Sequence, residues 1–229
     1  MTNPEPPTTA PEDSAARRVL TDSVSRRKFI ALSGGTASLS VLIAACGDDD
    51  DGDETTATTE TTAGDDALAQ FGEGDVGIVN YALTLEYLEA AFYAAVVASG
   101  LFKGGDLALI ESIGQNENDH VAALTQTVQD LGGTPAPKPK TRFDTADAPS
   151  VLQTAAEVEN LGAAAYLGQA AAIESPEVLA AALSIHTVEG RHASALNTLT
   201  DQTITPDGPF AEPADAQTVL DAVQPFIVS

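Results

Sequence analysis

Two Glu-x-x-His pairs constrain this chain more than any other feature of its sequence. They are Glu117 with His120 and Glu189 with His192, so the two Glu are separated by the same interval as the two His. Residues three positions apart share one face of a helix, so each pair presents a carboxylate and an imidazole side by side. Proteins use both groups to bind divalent metals, which makes these four residues candidate metal ligands.

A second repeated pattern lies upstream of each pair. Glu86 is followed seven positions later by Tyr93, and Glu159 is followed at the same distance by Tyr166. The interval from Glu86 to Glu159 is only one position longer than the interval between the two pairs. The region therefore looks like two copies of one unit, and each copy supplies two Glu, one His and one Tyr.

Helix start and stop signals divide this region into four segments. They span about 76–99, 106–132, 150–173 and 175–200. The connections within the first pair and within the last pair are short, which predicts two antiparallel hairpins. The Pro-rich connection 132–149 is long enough to run along the helices. The sequence thus predicts an all-α fold, an antiparallel four-helix bundle with one long crossover.

The Glu and His of each pair occupy positions at which an apolar, core-facing residue is expected. Ile113 precedes Glu117 by four positions, and Leu124 follows His120 by four. Four inward carboxylates would repel one another unless cations neutralise them. We therefore expect two divalent metal ions with the ligands Glu86, Glu117, His120, Glu159, Glu189 and His192. The alternative is a bundle with polar core positions and no metal.

Two stretches carry a resemblance to a known family. LEYLEAAFY at 85–93 and EGRHASAL at 189–196 resemble the ferritin-like superfamily, in particular its bacterial exported lipoprotein and desiccation-related branch. The resemblance covers 76–200 and implies a ferritin-like bundle whose rubrerythrin-like dinuclear site binds iron or manganese and is held by the six residues above. It also implies a catalytic role for Tyr93 and Tyr166, each hydrogen-bonded to a carboxylate ligand across the site. The alternative for both tyrosines is packing at a helix interface.

The chain also departs from that pattern. It has a single cysteine, so rubredoxin-type cysteines and a built-in electron donor are absent. Glu89 follows Glu86 by one turn, but its counterpart in the second half is Gly162, so we expect Glu89 beside the ligands or at the surface. Glu157 is expected to point elsewhere, and His186 to be hydrogen-bonded or exposed.

The first 45 positions predict an export signal. Arg26 and Arg27 form a twin-arginine pattern before the apolar segment 29–45, whose Gly and Ser make it a poor membrane span. The segment is followed by Cys46 in a sequence that resembles the lipobox of bacterial lipoproteins. We therefore interpret 1–45 as a twin-arginine lipoprotein signal peptide and Cys46 as the lipidated residue. The alternative is an idle thiol behind an uncleaved anchor.

Charge and composition limit the possible partners of the chain and the structure of its remaining segments. The formal net charge is −24, which argues against nucleic acid as a partner because phosphate binding needs basic patches. Residues 46–75 are acidic and almost without apolar side chains, which predicts a disordered linker. Residues 76–200 form the predicted bundle. Residues 201–229 are expected to be an extension with a short helix that covers one end of it.

These features allow three functions. The first is an enzyme, a lipid-anchored protein whose dinuclear centre reacts with dioxygen or peroxide as an oxidase, peroxidase or manganese-catalase-like protein. The second is a non-enzymatic, metal-stabilised envelope protein for stress or desiccation. The third is iron storage in a cage, which the long tether disfavours. The expected location is the outer face of the cytoplasmic membrane or the cell envelope, with a homodimer left open.

Overall fold

The computed structural model describes residues 67–228, which form an all-α fold. The helices are α1 (Gly74–Ser99), α2 (Gly104–Asp130), α3 (Ala148–Gln169), α4 (Pro176–Leu199) and the short α5 (Ala216–Val223), followed by a 3₁₀ turn at Gln224–Phe226. The predicted fold class is confirmed. The predicted signal peptide with Arg26 and Arg27, the lipidation site Cys46 and the predicted linker up to residue 66 lie outside the described residues. The last part of that linker, 67–75, is described and is not a free tether, because Ala67 is buried and the Phe71 ring packs edge-on against Tyr81 at 5.8 Å.

Local signals place most of the helix ends. Asp147 and Ser175 are the N-caps of α3 and α4, and the side chain of each accepts a hydrogen bond from a backbone N–H group in the first turn of its helix. α1 stops at Gly100, whose φ of 69° lies in the left-handed region that favours glycine. α2 begins at Gly104 rather than at the predicted Asp106, which instead lies in the first turn, where its charge suits the helix dipole.

The four long helices form two antiparallel hairpins, α1 with α2 and α3 with α4. The side chain of Asp75 accepts hydrogen bonds from the backbone N–H groups of Glu174 at 2.9 Å and Ser175 at 2.8 Å. These bonds hold the start of α1 beside the start of α4. The connection 131–147 therefore runs along the bundle, because α3 must begin at the opposite end from that at which α2 finishes.

Apolar layers lie on both sides of a buried polar layer. One layer includes Phe92, Ile113 and Leu196, and the other includes Leu83, Leu124 and Ile185. Between them along the helices lie four fully buried acids, which are Glu86, Glu117, Glu159 and Glu189. The bundle thus places its charged groups in the middle of its core.

The C-terminal extension lies along the side of the bundle rather than over its end. The apolar face of α5, which includes Val219 and Val223, packs against Leu88 of α1 and Val158 of α3. After α5, Ile227 forms a single antiparallel bridge with the crossover at Thr141. A helix as short as α5 is not stable alone, so this packing is what holds it in place.

α1 is long and apolar enough by composition to span a membrane. More than half of its most apolar stretch, 56%, is buried inside the bundle. It also carries two buried acids, Glu86 and Glu89. These properties are those of the core helix of a bundle.

Candidate metal centre

The six predicted ligands come together in the middle of the bundle. α1 and α3 each supply one Glu, and α2 and α4 each supply one Glu and one His, namely Glu86, Glu159, Glu117 with His120, and Glu189 with His192. The four carboxylates are 0% exposed. The side chains of His120 and His192 are 11% and 8% exposed. Four acids buried this deeply require compensating charge.

The ligand atoms form two overlapping groups. One group is Glu86, Glu117, His120 and Glu189, and the other is Glu117, Glu159, Glu189 and His192. Within each group the ligand atoms lie within 4.8 Å of one another. Glu117 and Glu189 belong to both groups, so each could contribute a carboxylate to either of two ions.

The surroundings of His120 show why a cation fits. Its Nδ1 lies 2.9 Å from Glu117 Oε2, 3.1 Å from Glu189 Oε1 and 3.2 Å from Glu86 Oε2. A single N–H cannot donate well to three oxygens at once. A metal ion among these atoms would contact the imidazole nitrogen and all three carboxylates.

Buried carboxylate oxygens without a hydrogen-bond donor give a second test of whether metal ions fit this site. Glu117 Oε1 and both carboxylate oxygens of Glu189 are buried and accept no hydrogen bond within residues 67–228. His192 Nδ1 lies 3.0 Å from Glu117 Oε1, but the pair lacks hydrogen-bond geometry. A buried acceptor without a partner destabilises the fold. Two divalent cations would supply the partners and balance the four carboxylate charges, so the residues fit a dinuclear centre.

Burial and neighbouring charges separate the pKa values of the acids. Burial raises the pKa of Glu86 from 4.5 to about 8, despite the hydrogen bond from His120. Burial also raises the pKa of Glu159 well above its usual value. Burial acts in the same direction on Glu117, but the imidazoles of His120 and His192 outweigh it and lower its pKa to about 2. Glu117 therefore stays ionised.

The histidines respond in the opposite sense. Burial by itself would lower their pKa values, but the surrounding carboxylates outweigh it. They raise the pKa of His120 to about 12 and that of His192 to about 10, with Glu117 as the leading carboxylate in both cases. The cluster therefore binds protons strongly at the atoms that would bind metals, and metal binding must displace those protons.

Two tyrosines cross the site from one half to the other. The Tyr93 hydroxyl on α1 donates to Glu159 Oε1 on α3 at 2.5 Å. The Tyr166 hydroxyl on α3 donates to Glu86 Oε1 on α1 at 2.6 Å. Burial, followed by the charge of the accepting Glu, raises both phenol pKa values well above 10. Both hydroxyls therefore keep their protons and act as donors.

Glu89 is a further buried acid, for which the sequence pattern left two positions open, beside the ligands or at the surface. It is 3% exposed, which excludes a surface position. Burial raises its pKa well above the usual value, and the charges of Glu189 and Glu86 raise it further. It belongs to neither ligand group. The signal for its inward position was its spacing, because a residue three positions after Glu86 shares the same helix face.

His186 and Glu157, which the sequence analysis did not count among the ligands, lie outside both ligand groups. The His186 ring makes a hydrogen bond to the carbonyl oxygen of Ala163 through Nδ1 at 3.0 Å. Glu157 is exposed and accepts a hydrogen bond from Gln153 Nε2 at 2.8 Å. Neither contributes to the cluster, because each is engaged with neighbours away from the bundle centre.

Comparison with known proteins bears on the same region. A model of the ferritin-like domain matches residues 74–202, more than half of the chain. Among solved structures, a conserved hypothetical protein from Mycobacterium tuberculosis aligns with a TM-score of 0.51 and 19% identity, over 56% of this chain and 98% of its own. A ferritin-like, diiron-carboxylate protein from Bacillus anthracis aligns with a TM-score of 0.49 and 22% identity, over 60% of this chain and 96% of its own. No curated protein matches the chain.

The matched region contains all four long helices and every member of the two ligand groups. The structural likeness to the mycobacterial protein shows the same fold. The chain therefore belongs to the ferritin-like family.

Proposed function

We propose that this protein is exported, anchored by a lipid at Cys46, and binds two iron or manganese ions in a centre that reacts with dioxygen or peroxide. The proposal of a metal centre rests on the two ligand groups, which share Glu117 and Glu189. Shared carboxylates would hold two ions close together.

The donor atoms favour iron or manganese over softer metals. Both groups consist of carboxylates and one imidazole each, and neither contains a thiolate. Carboxylate-rich sites suit hard and borderline cations. When bound, a redox-active pair of ions supplies Lewis acidity and electrons to the oxidant.

The chain itself provides orientation, proton donors and exclusion of water. Tyr93 and Tyr166 hold protons at Glu159 Oε1 and Glu86 Oε1, next to the reacting region. The carboxylates are closed off from solvent, whereas the histidine edges remain slightly exposed. A small oxidant would enter past the histidines, and bulk water would stay outside.

Export and anchoring rest on the sequence before position 47. Arg26 and Arg27 precede an apolar segment that leads to Cys46, the single cysteine of the chain. The twin-arginine route carries folded proteins, so the centre would be filled before export. A lipid at Cys46 would then keep the bundle at the membrane, at the end of an acidic tether.

A non-enzymatic, metal-stabilised envelope protein is the second candidate. The observation that favours it is the complete burial of the four carboxylates. A site whose four carboxylates are all shielded from solvent can stabilise the bundle without turnover. The two candidates share the metal ions and differ in reactivity.

The test is metal analysis of the protein purified from the envelope of its native host, together with assays of dioxygen and peroxide consumption. We expect two ions per chain and consumption of at least one oxidant. His120→Ala and His192→Ala should each abolish consumption and lose at least one ion. His186→Ala is the matched control and should retain both, because His186 bonds to Ala163 outside the site. Two bound ions without turnover would favour the second candidate, and no bound ion would contradict both.

A further inference from the structure

One polar contact behind the ligand His192 has no counterpart in the other half of the described bundle. The carboxamide nitrogen of Asn116 on α2 lies 3.0 Å from His192 Nε2 on α4. Nδ1 of the same ring faces the carboxylates, at 3.0 Å from Glu117 Oε1 and 3.1 Å from Glu159 Oε2. The ring therefore has one nitrogen toward the ligand group and the other toward Asn116.

A metal-bound imidazole needs a hydrogen-bond acceptor for its second nitrogen, and Asn116 is placed to be that acceptor. When a metal occupies Nδ1, the remaining proton of the neutral ring must lie on Nε2. Nε2–H then needs an acceptor, and a half-turn of the Asn116 carboxamide brings its Oδ1 to the place of its nitrogen. An acceptor behind a ligating histidine fixes the ring orientation and strengthens the ligand.

His120 lacks an equivalent neighbour. Val188 directly precedes Glu189 as Asn116 precedes Glu117, so it occupies the corresponding position, and a valine side chain can neither donate nor accept. Among residues 67–228, the hydrogen bonds of the His120 ring all involve its Nδ1. The two halves thus provide similar ligands but different support behind them.

The geometry points to Asn116 as a positioning residue that makes the two metal positions unequal, an inference that rests on the proposed dinuclear centre. Asn116 Oδ1 accepts the Nε2–H of His192 and holds the ring with Nδ1 toward the ligand group of Glu117, Glu159 and Glu189. That group binds its ion more tightly than the His120 group and fills first.

Titration of the full chain with cobalt(II), which reports binding without turnover, tests this inference. The wild type should show two dissociation constants. Asn116→Leu should weaken the tighter one by roughly 10- to 100-fold, as is typical for the loss of a partner behind a metal ligand, and leave the weaker one unchanged. Asn118→Leu is the matched control, because Asn118 is exposed and donates to the carbonyl oxygen of Gly114 instead.

Asn116→Asp separates positioning from a merely structural contact. Aspartate keeps an acceptor for Nε2–H, so the tighter constant should be retained or improved, whereas a structural role for the amide predicts weakening in both variants. Gln115→Glu adds the same charge at the exposed neighbouring position and corrects for general electrostatic attraction.

Proton NMR of the cobalt-loaded wild type gives a readout that needs no variant at position 116. The Nε2–H of His192 should exchange with water more slowly than that of His120, with the two signals assigned in His120→Ala. Equal exchange rates, or two unchanged constants in Asn116→Leu, would overturn the inference while the dinuclear centre stands. A wild type that binds no cobalt would overturn the proposed centre and this inference together.

Discussion

Gly162 on α3 leaves the space that the carboxylate of Glu89 on α1 occupies. A Cβ atom at position 162 would lie 2.8 Å from Glu89 Oε1 and 3.4 Å from Glu189 Oε2. The two halves of the bundle are therefore complementary at this point rather than identical. The acid in the first half occupies the space that the glycine leaves at the corresponding position of the second.

This relationship predicts a strong coupling between the two residues. In a Glu89→Ala background, Gly162→Ala should stabilise the metal-free protein by about 0.5–1 kcal/mol, because glycine in a helix interior is unfavourable by that amount. In the wild type the same change should destabilise, because the new methyl group displaces a buried carboxylate. The measurement is denaturant unfolding of the four proteins in chelator, analysed as a double-mutant cycle.

Gly190 on α4 is the matched control for that cycle. A Cβ atom there would have no neighbour within 4 Å. Gly190→Ala should therefore stabilise by a similar amount with or without Glu89. Additive effects of Gly162→Ala and Glu89→Ala, within about 0.5 kcal/mol, would contradict the steric relationship.

The contrast between Glu89 and the six predicted ligands shows what the sequence can decide. The Glu and His of each pair could be placed inward because both halves repeat them at the same helical spacing. Glu89 also has the spacing of an inward residue, but its partner in the second half is Gly162. Only the packed bundle shows that the missing side chain is what makes room for the acid.

Other features depend on contacts between distant segments. Helical periodicity predicts the four long helices, yet it does not say which groove the apolar face of α5 will cover. Val219 of α5 packs on the flank formed by α1 and α3, an arrangement set by tertiary packing. The contact of Asn116 with His192 joins two different helices and has no repeated pattern that could reveal it.

The tyrosine hydroxyls should contribute measurably to stability. Tyr93→Phe and Tyr166→Phe should each lower the unfolding free energy of the metal-free protein by about 1–3 kcal/mol, because each change leaves a buried carboxylate oxygen without its donor. Chemical denaturation in chelator measures the loss. Both variants should still bind two ions, because the ligands remain.

Tyr81→Phe is the control for these variants. Tyr81 is as buried as Tyr93, at 1% exposed, but its hydroxyl has no hydrogen-bond partner within the described part of the chain. Its removal should be neutral or stabilising, because an unpaired buried hydroxyl is unfavourable. A loss in Tyr81→Phe as large as in Tyr93→Phe would show that the hydrogen bonds to Glu159 and Glu86 are not the cause.

The proposed anchor predicts the fate of Cys46 variants. In the native host the mature protein should begin at a lipidated Cys46 and partition with membranes. Cys46→Ala should release the protein or leave the leader uncut, and Arg26→Lys with Arg27→Lys should retain the precursor in the cytoplasm. Cell fractionation and intact-mass analysis measure these outcomes. An unlipidated Cys46 in native material would contradict the lipid anchor. Normal export of the Arg26→Lys, Arg27→Lys double variant would contradict the twin-arginine route.

The stability of the metal-free protein should fall as pH rises from about 5 to about 9. In this range the folded state holds protons that the unfolded state has lost, because the pKa of Glu86 is raised by burial from 4.5 to about 8. The carboxylates raise the pKa of His192 from 6.5 to about 10, so its contribution is complete below 6.5 and is lost toward 10. By linkage, stability decreases wherever the folded state binds more protons. Glu117 does not oppose this trend, since its pKa of about 2 affects stability only at lower pH.

Metal binding should have the opposite dependence. The ions must displace the protons held by Glu86, His120 and His192, so binding strengthens as pH rises. The increase in melting temperature caused by manganese(II), relative to chelator, should therefore grow between about pH 5.5 and about pH 8.5. Thermal unfolding followed by circular dichroism at several pH values measures both curves. Wild-type protein whose manganese-dependent shift shrinks with pH would rule out proton displacement at these residues, whereas His186→Ala should reproduce the wild-type trend because its ring lies outside the ligand groups.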